Sequence, residues 1–251
     1  MFESYYRVCR NWTVGYYNTT KTGTSLTKCG LLCLEHNRNN NSSCNSASYA
    51  AYSNTCFLSQ GLESGIMNIQ DNDVTTLLRV SDSTCRDYLV SGPNPVSDSQ
   101  LTASSIKNNG NNFGPGQARL HNIKVTYPNG TYDAGIWSPA SQNSNQYIQV
   151  DFETPKIITG IATQGSPAYN HYITKYRMLY SIDCITFNVY TDDTTAEEVV
   201  FPGNFDRNTV VNNTLYCPLL ARCVRLNPTE WINFYALRFD VIGCQHNVLV
   251  V

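Results

Sequence analysis

The chain has 251 residues, of which 41% are hydrophobic and only 14% charged, against about 25% charged in an ordinary globular protein. Its 17 Lys plus Arg and 19 Asp plus Glu leave a net charge of -2. That balance excludes the usual disordered chain, which pairs low hydrophobicity with high net charge. It also leaves no basic excess for a phosphate backbone, so no nucleic-acid partner is expected.

The opening residues, MFESYYRVCR, lack the apolar core of a signal peptide, and no run approaches the roughly 18 apolar residues of a membrane-spanning helix. The 10 cysteines nevertheless point to an oxidising compartment, because cytosolic reductants keep thiols reduced. The expectation is a secreted protein, or the extracellular part of a cell-surface protein, whose leader has been removed. Sequons at Asn11, Asn18, Asn40, Asn41, Asn129 and Asn212 fit that origin. Asn11, Asn18, Asn41, Asn129 and Asn212 are the glycosylation candidates.

In chain order, the first clear element is a helix. Ser25 can cap LTKCGLLCLEHN, in which Leu26, Cys29, Leu32 or Cys33, and His36 recur at helical spacing. Cys29 and Cys33 are four apart and share a face, which could be cross-linked to an alternating, strand-like ASYAAYSNTCFLSQ carrying Cys56. A zinc ion held by Cys29, Cys33, Cys44 and Cys56 is the competing reading, but the spacings lack a close CxxC knuckle. The texture changes near Cys85. SGPNPVSDS reads as a short linker, and from Leu101 onward strand-like runs recur: QYIQVDF, KIITGIATQG, TKYRMLYSI, TFNVYT, ARCVRLN and ALRFDVIGC. Gly, Pro, Asn and Asp turns separate them. This is the pattern of an antiparallel sandwich or jelly roll.

Nothing in the chain reads as catalytic. His36, His121, His171 and His246 lie in no nucleophile elbow or metal-binding helix motif, and no phosphate-cradling glycine loop occurs. The expectation is a non-enzyme without a cofactor or bound metal. No dense carboxylate cluster calls for calcium.

The strings VSDSQLTASS, GQARLH, Trp137, QYIQVDFETPKIITGIATQG, YSIDCITF, VFPGNFDRNTVV, ARCVRLNPTEW and LRFDVIGC, in this order, resemble the discoidin, or coagulation factor 5/8 type C, domain. Local departures are Ile136 before the Trp, Asp240 for the common Glu, Cys184 in the usual Asp-Gly turn and Cys223 for a usual aromatic. KCGLLCLEHNRNNNSSCNSASYAAYSNTCFLSQ resembles a PAN or Apple module. Together they imply a mainly β protein: a small disulfide-rich α+β domain over 1–85, then a discoidin antiparallel β-sandwich over 86–251. The PAN or Apple resemblance implies the nested pairs Cys29–Cys56 and Cys33–Cys44. For the rest the two resemblances conflict, since one joins Cys9 to Cys85 and the other Cys85 to Cys244. Parity favours Cys9–Cys85, which leaves Cys184, Cys217, Cys223 and Cys244 as an even set.

The discoidin resemblance further implies that ligands meet the loops remote from the termini. Matching strings puts these at 106–117, roughly 127–135 and 166–172. The ligand candidates are Asn112, Phe113, Tyr132, Tyr169, His171 and Tyr172, with Lys107 read as a solvated loop cation. Trp137, Trp231, Tyr147 and Arg238 are assigned to the core, with Asp151 or Asp240 as the partner of Arg238. The implied function is extracellular adhesion: binding a cell-surface glycan or a protein partner through these loops. Tyr faces can stack on sugars while Asn, Asp and His bond to hydroxyls. Phosphatidylserine-rich membrane is the alternative, weakened because Phe113 is the only strongly apolar loop residue; an enzyme is the remote one.

Overall fold

In the computed structural model the chain divides into two compact units, Met1–Thr84 with Gln245–Val251, and Cys85–Cys244. Residues 85–192 and 195–245 are described throughout, and in the N-terminal part the strands 6–10, 19–22, 46–50, 55–59 and 74–79.

In the first unit five strands are described: β1 (Tyr6–Arg10), β2 (Thr19–Thr22), β3 (Ser46–Ala50), β4 (Thr55–Ser59) and β5 (Val74–Arg79). They form one antiparallel sheet in the order β1-β5-β3-β4-β2. The run ASYAAYSNTCFLSQ therefore folds as two paired strands rather than one. Cys56 on β4 is buried and disulfide-bonded, which removes it as a zinc ligand. The expected helix over 25–37, the sequons at Asn11, Asn18, Asn40 and Asn41, and cysteines 29, 33 and 44 lie outside the described residues.

The second unit is built on β6 (Asp87–Tyr88), β7 (Leu101–Ala103), β8 (Val125–Thr126), β9 (Tyr132–Asp133), β10 (Ile148–Gln164), β11 (Tyr172–Ser181), β12 (Asn188–Val189), β13 (Val200–Pro202), β14 (Val211–Ile232) and β15 (Arg238–Gln245). Eight of these form one sheet with the path β12-β11-β14-β10-β15-β6, while β13 adds to β11 and β7 to β10. β8 and β9 make a separate hairpin. The predicted runs carry the strands: QYIQVDF and KIITGIATQG merge into β10, whose register against β14 breaks between Asp151 and Lys156. Such an irregularity bends a strand. Ile148, Val150 and Phe152 from β10, Ile173, Tyr176 and Met178 from β11, Val224 and Leu226 from β14, and Phe239 and Val241 from β15 share one core. With Leu101 of β7 and Phe201 of β13 in the same cluster, six of the eight strands feed one core, the arrangement a jelly roll requires.

The disulfides depart from the sequence expectation. Cys85 bonds Cys244 (S–S 2.05 Å) and Cys184 bonds Cys223 (S–S 1.95 Å), so the Cys9–Cys85 pairing is overturned. The reason is strand register: β6 pairs with β15 through Tyr88 and Ile242, and Asp87 and Gly243. That sets Cys85 beside the end of β15. Likewise Ser181 pairs with Cys223, and the following turn brings Cys184, at φ 61°, back over it. Cys217 is also disulfide-bonded.

Two buried charges finish the framework. Asp240 accepts from the backbone N–H of Val90, Ser91 and Val241 and from the Ser91 hydroxyl, tying the first segment of the unit to β15. Arg238 is 3% exposed and meets neither Asp151 nor Asp240. It donates instead to three backbone carbonyls, of Gly165 (2.6 Å), Asn122 (2.8 Å) and Arg207 (3.1 Å). Burial, with Arg207 nearby, lowers the guanidinium to about 10, so it remains a cation at neutral pH. Trp137 is fully buried as expected, whereas Trp231 only packs against the core edge and Tyr147 sits half-buried elsewhere.

Candidate ligand-binding site

The loops meet at one end of β15. Arg238 opens that strand and Cys244 lies six residues along it, about 20 Å away at the rise of an extended chain, so this loop end is remote from the Cys85–Cys244 bridge. The chain converges on Arg238 at the carbonyls of Asn122, which follows the first ligand loop, Gly165, which opens the third, and Arg207, which belongs to none of the three. A guanidinium with five N–H groups can bind several acceptors at once.

The first loop, 106–117, is three successive turns of tight helix. Asn108 and Asn109 take positive φ of 56° and 50°, a region Asn tolerates better than most residues. Its backbone is fastened to the next segment: Lys107 N–H donates to the Ser138 carbonyl (2.8 Å), Ala134 N–H to the Asn112 carbonyl (2.8 Å) and Ser138 N–H to the Phe113 carbonyl (3.2 Å). Ala134, Ile136 and Ala236 form a small apolar floor against which Phe113 and Tyr132 pack. The departure Ile136 thus supports a ligand candidate from beneath. The β8–β9 hairpin is braced by the Tyr127 hydroxyl, which donates to Asp133 at 2.6 Å and has its own pKa raised by that carboxylate. The third loop closes on itself, with Ser166 N–H donating to the His171 carbonyl and the Ser166 hydroxyl accepting from Ala168 and Tyr169 N–H. Asn233 Nδ2 donates to the Asn170 carbonyl (2.8 Å), joining the turn after β14 to it.

On this frame seven side chains make a closed circuit. The Lys107 ammonium lies 5.1 Å from the Phe113 ring centroid and 5.2 Å from that of Phe234. Phe113 meets Tyr132 edge to face at 5.9 Å. The Lys124 ammonium lies 5.0 Å from Tyr132 and 5.7 Å from Tyr169. Tyr169 stacks on His171 at 5.5 Å, and His171 leans on Phe234 at 5.1 Å. Cations over aromatic faces are attracted by the ring quadrupole, so the two lysines fasten the rings into one rim. Partial burial, and then the Lys107 charge, lower the His171 pKa; the imidazole is neutral at physiological pH.

Four of the six sequence candidates, Phe113, Tyr132, Tyr169 and His171, therefore come together. Asn112 acts through its backbone carbonyl, and Tyr172 starts β11 opposite Ile232 with no ring contact to the rim. Lys107 is no idle cation. Phe234 and Lys124 escaped the sequence reading; the bare apolar residue inside the WINFYAL turn was the available signal for Phe234. Arg119 and the adjoining His121 are not part of the circuit: Arg119 is taken up by the carbonyls of Val90 and Val96 and by Asp98. Among the described residues the one possible metal cluster is Asp151, Cys184 and Cys223. Its sulfurs form a disulfide and Asp151 is held by Arg222 through two hydrogen bonds, so it holds no ion.

An antiparallel sheet of this kind insulates its scaffold from the loops at its end, which can vary without disturbing the core. Residues 100–241 match the F5/8 type C domain model, more than half of the chain, and the chain belongs to that family. Rat "Discoidin, CUB and LCCL domain-containing protein 2" is 32% identical over 179 residues, covering 68% of this chain and 22% of the relative. Bovine lactadherin is 32% identical over 166 residues, covering 64% of this chain and 37% of the relative. The chain thus spans well under half the length of either. Discoidin II of Dictyostelium discoideum superposes with a TM-score of 0.51 at 22% identity, over 59% of this chain and 56% of that one, a likeness of fold.

Proposed function

We propose that this is an extracellular, non-catalytic recognition protein that binds a cell-surface glycan, free or carried on a protein partner, through the loop end of its discoidin unit. The observation that carries the reading is the closed circuit of Lys107, Phe113, Tyr132, Lys124, Tyr169, His171 and Phe234. Tyr169 is 57% and Phe234 46% exposed, so both rings remain available after packing on His171. Aromatic faces cover the C–H faces of a pyranose while ammonium and amide groups donate to its hydroxyls. The rim is ordered before any ligand arrives, which lowers the entropy cost of binding.

A phospholipid surface is the second reading. Ile123 at 63% exposure and Phe234 join Phe113 as apolar loop residues, and two lysines stand among them. An inserted Phe contributes about 1.5 to 3 kcal/mol, and a Lys near an anionic leaflet about 1 kcal/mol. The sum reaches reversible attachment, short of stable anchoring. A glycan array and flotation with phosphatidylserine vesicles separate the readings. The glycan reading expects array binding that persists at 0.5 M salt (roughly three times physiological ionic strength) with vesicle binding weak or lost there; vesicle binding with a blank array would replace it by the phospholipid reading.

A further inference from the structure

On β14 and β11 stand four basic residues. Lys175 pairs with Glu230 (2.9 Å), Arg177 with Glu198 (2.9 Å) and Arg222 with Asp151 (2.7 Å). Arg225 has no acidic partner among the described residues. Its neighbours Val224 and Leu226 are fully buried, so by strand alternation Arg225 projects from the outward face of the sheet, beside Gln149 and Leu179 in the register. There its guanidinium carbon lies 3.5 Å from the Phe187 ring centroid and 4.2 Å from that of Tyr147. Nε donates to Gln149 Oε1 at 2.7 Å, and no protein acceptor among the described residues takes the two Nη groups. Phe187 is presented by a rigid turn, in which Asp183 accepts from Ser181 Oγ and from Ile185 and Thr186 N–H. Those bonds pull its carboxyl down to about 2.

We infer that Arg225, clamped between Tyr147 and Phe187, is a second binding site, for the single carboxylate of an acidic sugar. A guanidinium held in plane by two rings has already lost its side-chain freedom, and its Nη edge matches a carboxylate bidentately. The ligand class follows from the charge count. One unpaired cation meets aromatic and neutral polar neighbours, with Asp183 close along the chain, and a polyanion would find repulsion where it needs further cations. A uronic or sialic acid brings one negative charge on a hydroxylated, otherwise neutral body, with C–H faces for the flanking rings. The site is separate from the loop rim: Arg225 is seven residues along β14 from Ile232, about 23 Å at the rise of an extended strand.

The test uses the full chain, isotopically labelled, and follows the backbone amide shifts of Gln149, Leu179 and Arg225. Probes are methyl glucuronide, methyl glucoside, the glucuronamide and N-acetyl-aspartate amide. The inference expects saturable shifts with the glucuronide and binding weaker by roughly tenfold or more with the glucoside and the glucuronamide, since a charge-assisted bidentate contact is lost. R225Q should abolish the shifts, and a Y169A/F234A variant should keep them, which separates this site from the rim. Because the glucuronamide removes the charge from the ligand rather than the protein, the comparison stands even if R225Q fails to fold. Equal response to glucuronide and glucoside, response confined to the loops, or response to the aspartate probe without one to the glucuronide would overturn it.

Discussion

Replacing Arg238 by Met removes a side chain that joins the chain at Asn122, Gly165 and Arg207. Three hydrogen bonds from a charged donor are lost, to the carbonyls of Gly165, Asn122 and Arg207. At about 1.5 to 3 kcal/mol each, their gross worth is roughly 4 to 9 kcal/mol. Several kcal/mol are returned because Met carries no charge that must be desolvated. The net expectation is a destabilisation of about 2 to 4 kcal/mol, which in a unit of this size lowers the Tm by roughly 5 to 15 °C. R238K, which keeps the charge but cannot span three acceptors, should fall between. Differential scanning calorimetry supplies the first number, and amide exchange at 121–123, 165–168 and 206–208 should show the protection lost there first. If R238M melts within 1 °C of the parent, about a fifth of the smallest expected shift, the carbonyl clamp is not what orders the loop end.

Three further outcomes follow. The double variant C184S/C223S opens a loop of 39 residues and should cost about 3 to 4 kcal/mol on the chain-entropy model, read by denaturant titration; non-reducing peptide mapping should recover Cys184 with Cys223 and Cys85 with Cys244. The His171 pKa is lowered in the folded protein, so the unfolded chain takes up a proton first as pH falls. The stability this group contributes is therefore complete above the unfolded value of about 6.5 and is lost as pH falls through the folded one; an NMR titration should place the imidazole below 6.5, and H171N should flatten the Tm profile from pH 7 to 5. Asn129 lies at the exposed tip of the β8–β9 hairpin, its side-chain oxygen accepting from the Thr131 hydroxyl at 2.6 Å, so expression in a glycosylating secretory host should give a glycosidase-sensitive mass that N129Q lacks.

The strands were legible because alternation and β-branched content are local properties: QYIQVDF, TKYRMLYSI and LRFDVIGC stand where the pattern places them. The disulfides were not, because pairing depends on strand register. The two off-pattern cysteines, 184 and 223, explain each other once Ser181 is seen opposite Cys223. Phe113, Tyr132, Tyr169 and His171 could be read as loop residues, yet they are united by Lys107, which sequence presents as an ordinary solvated cation, and by Lys124 and Phe234, which carry no motif. Arg238 was correctly placed inside, but with the wrong partner. A buried charge suggests a carboxylate by habit, and a strand-end arginine finds backbone carbonyls instead because the converging loops leave them unpaired.

If the loop rim grips the ligand, its two most exposed rings should carry much of the affinity. Isothermal titration of an array-positive glycan against the parent chain and Y169A/F234A, with Tm measured on both, tests it most directly. Affinity should fall at least tenfold, about 1.4 kcal/mol, at an unchanged Tm. Equal affinity in two equally stable proteins would contradict it.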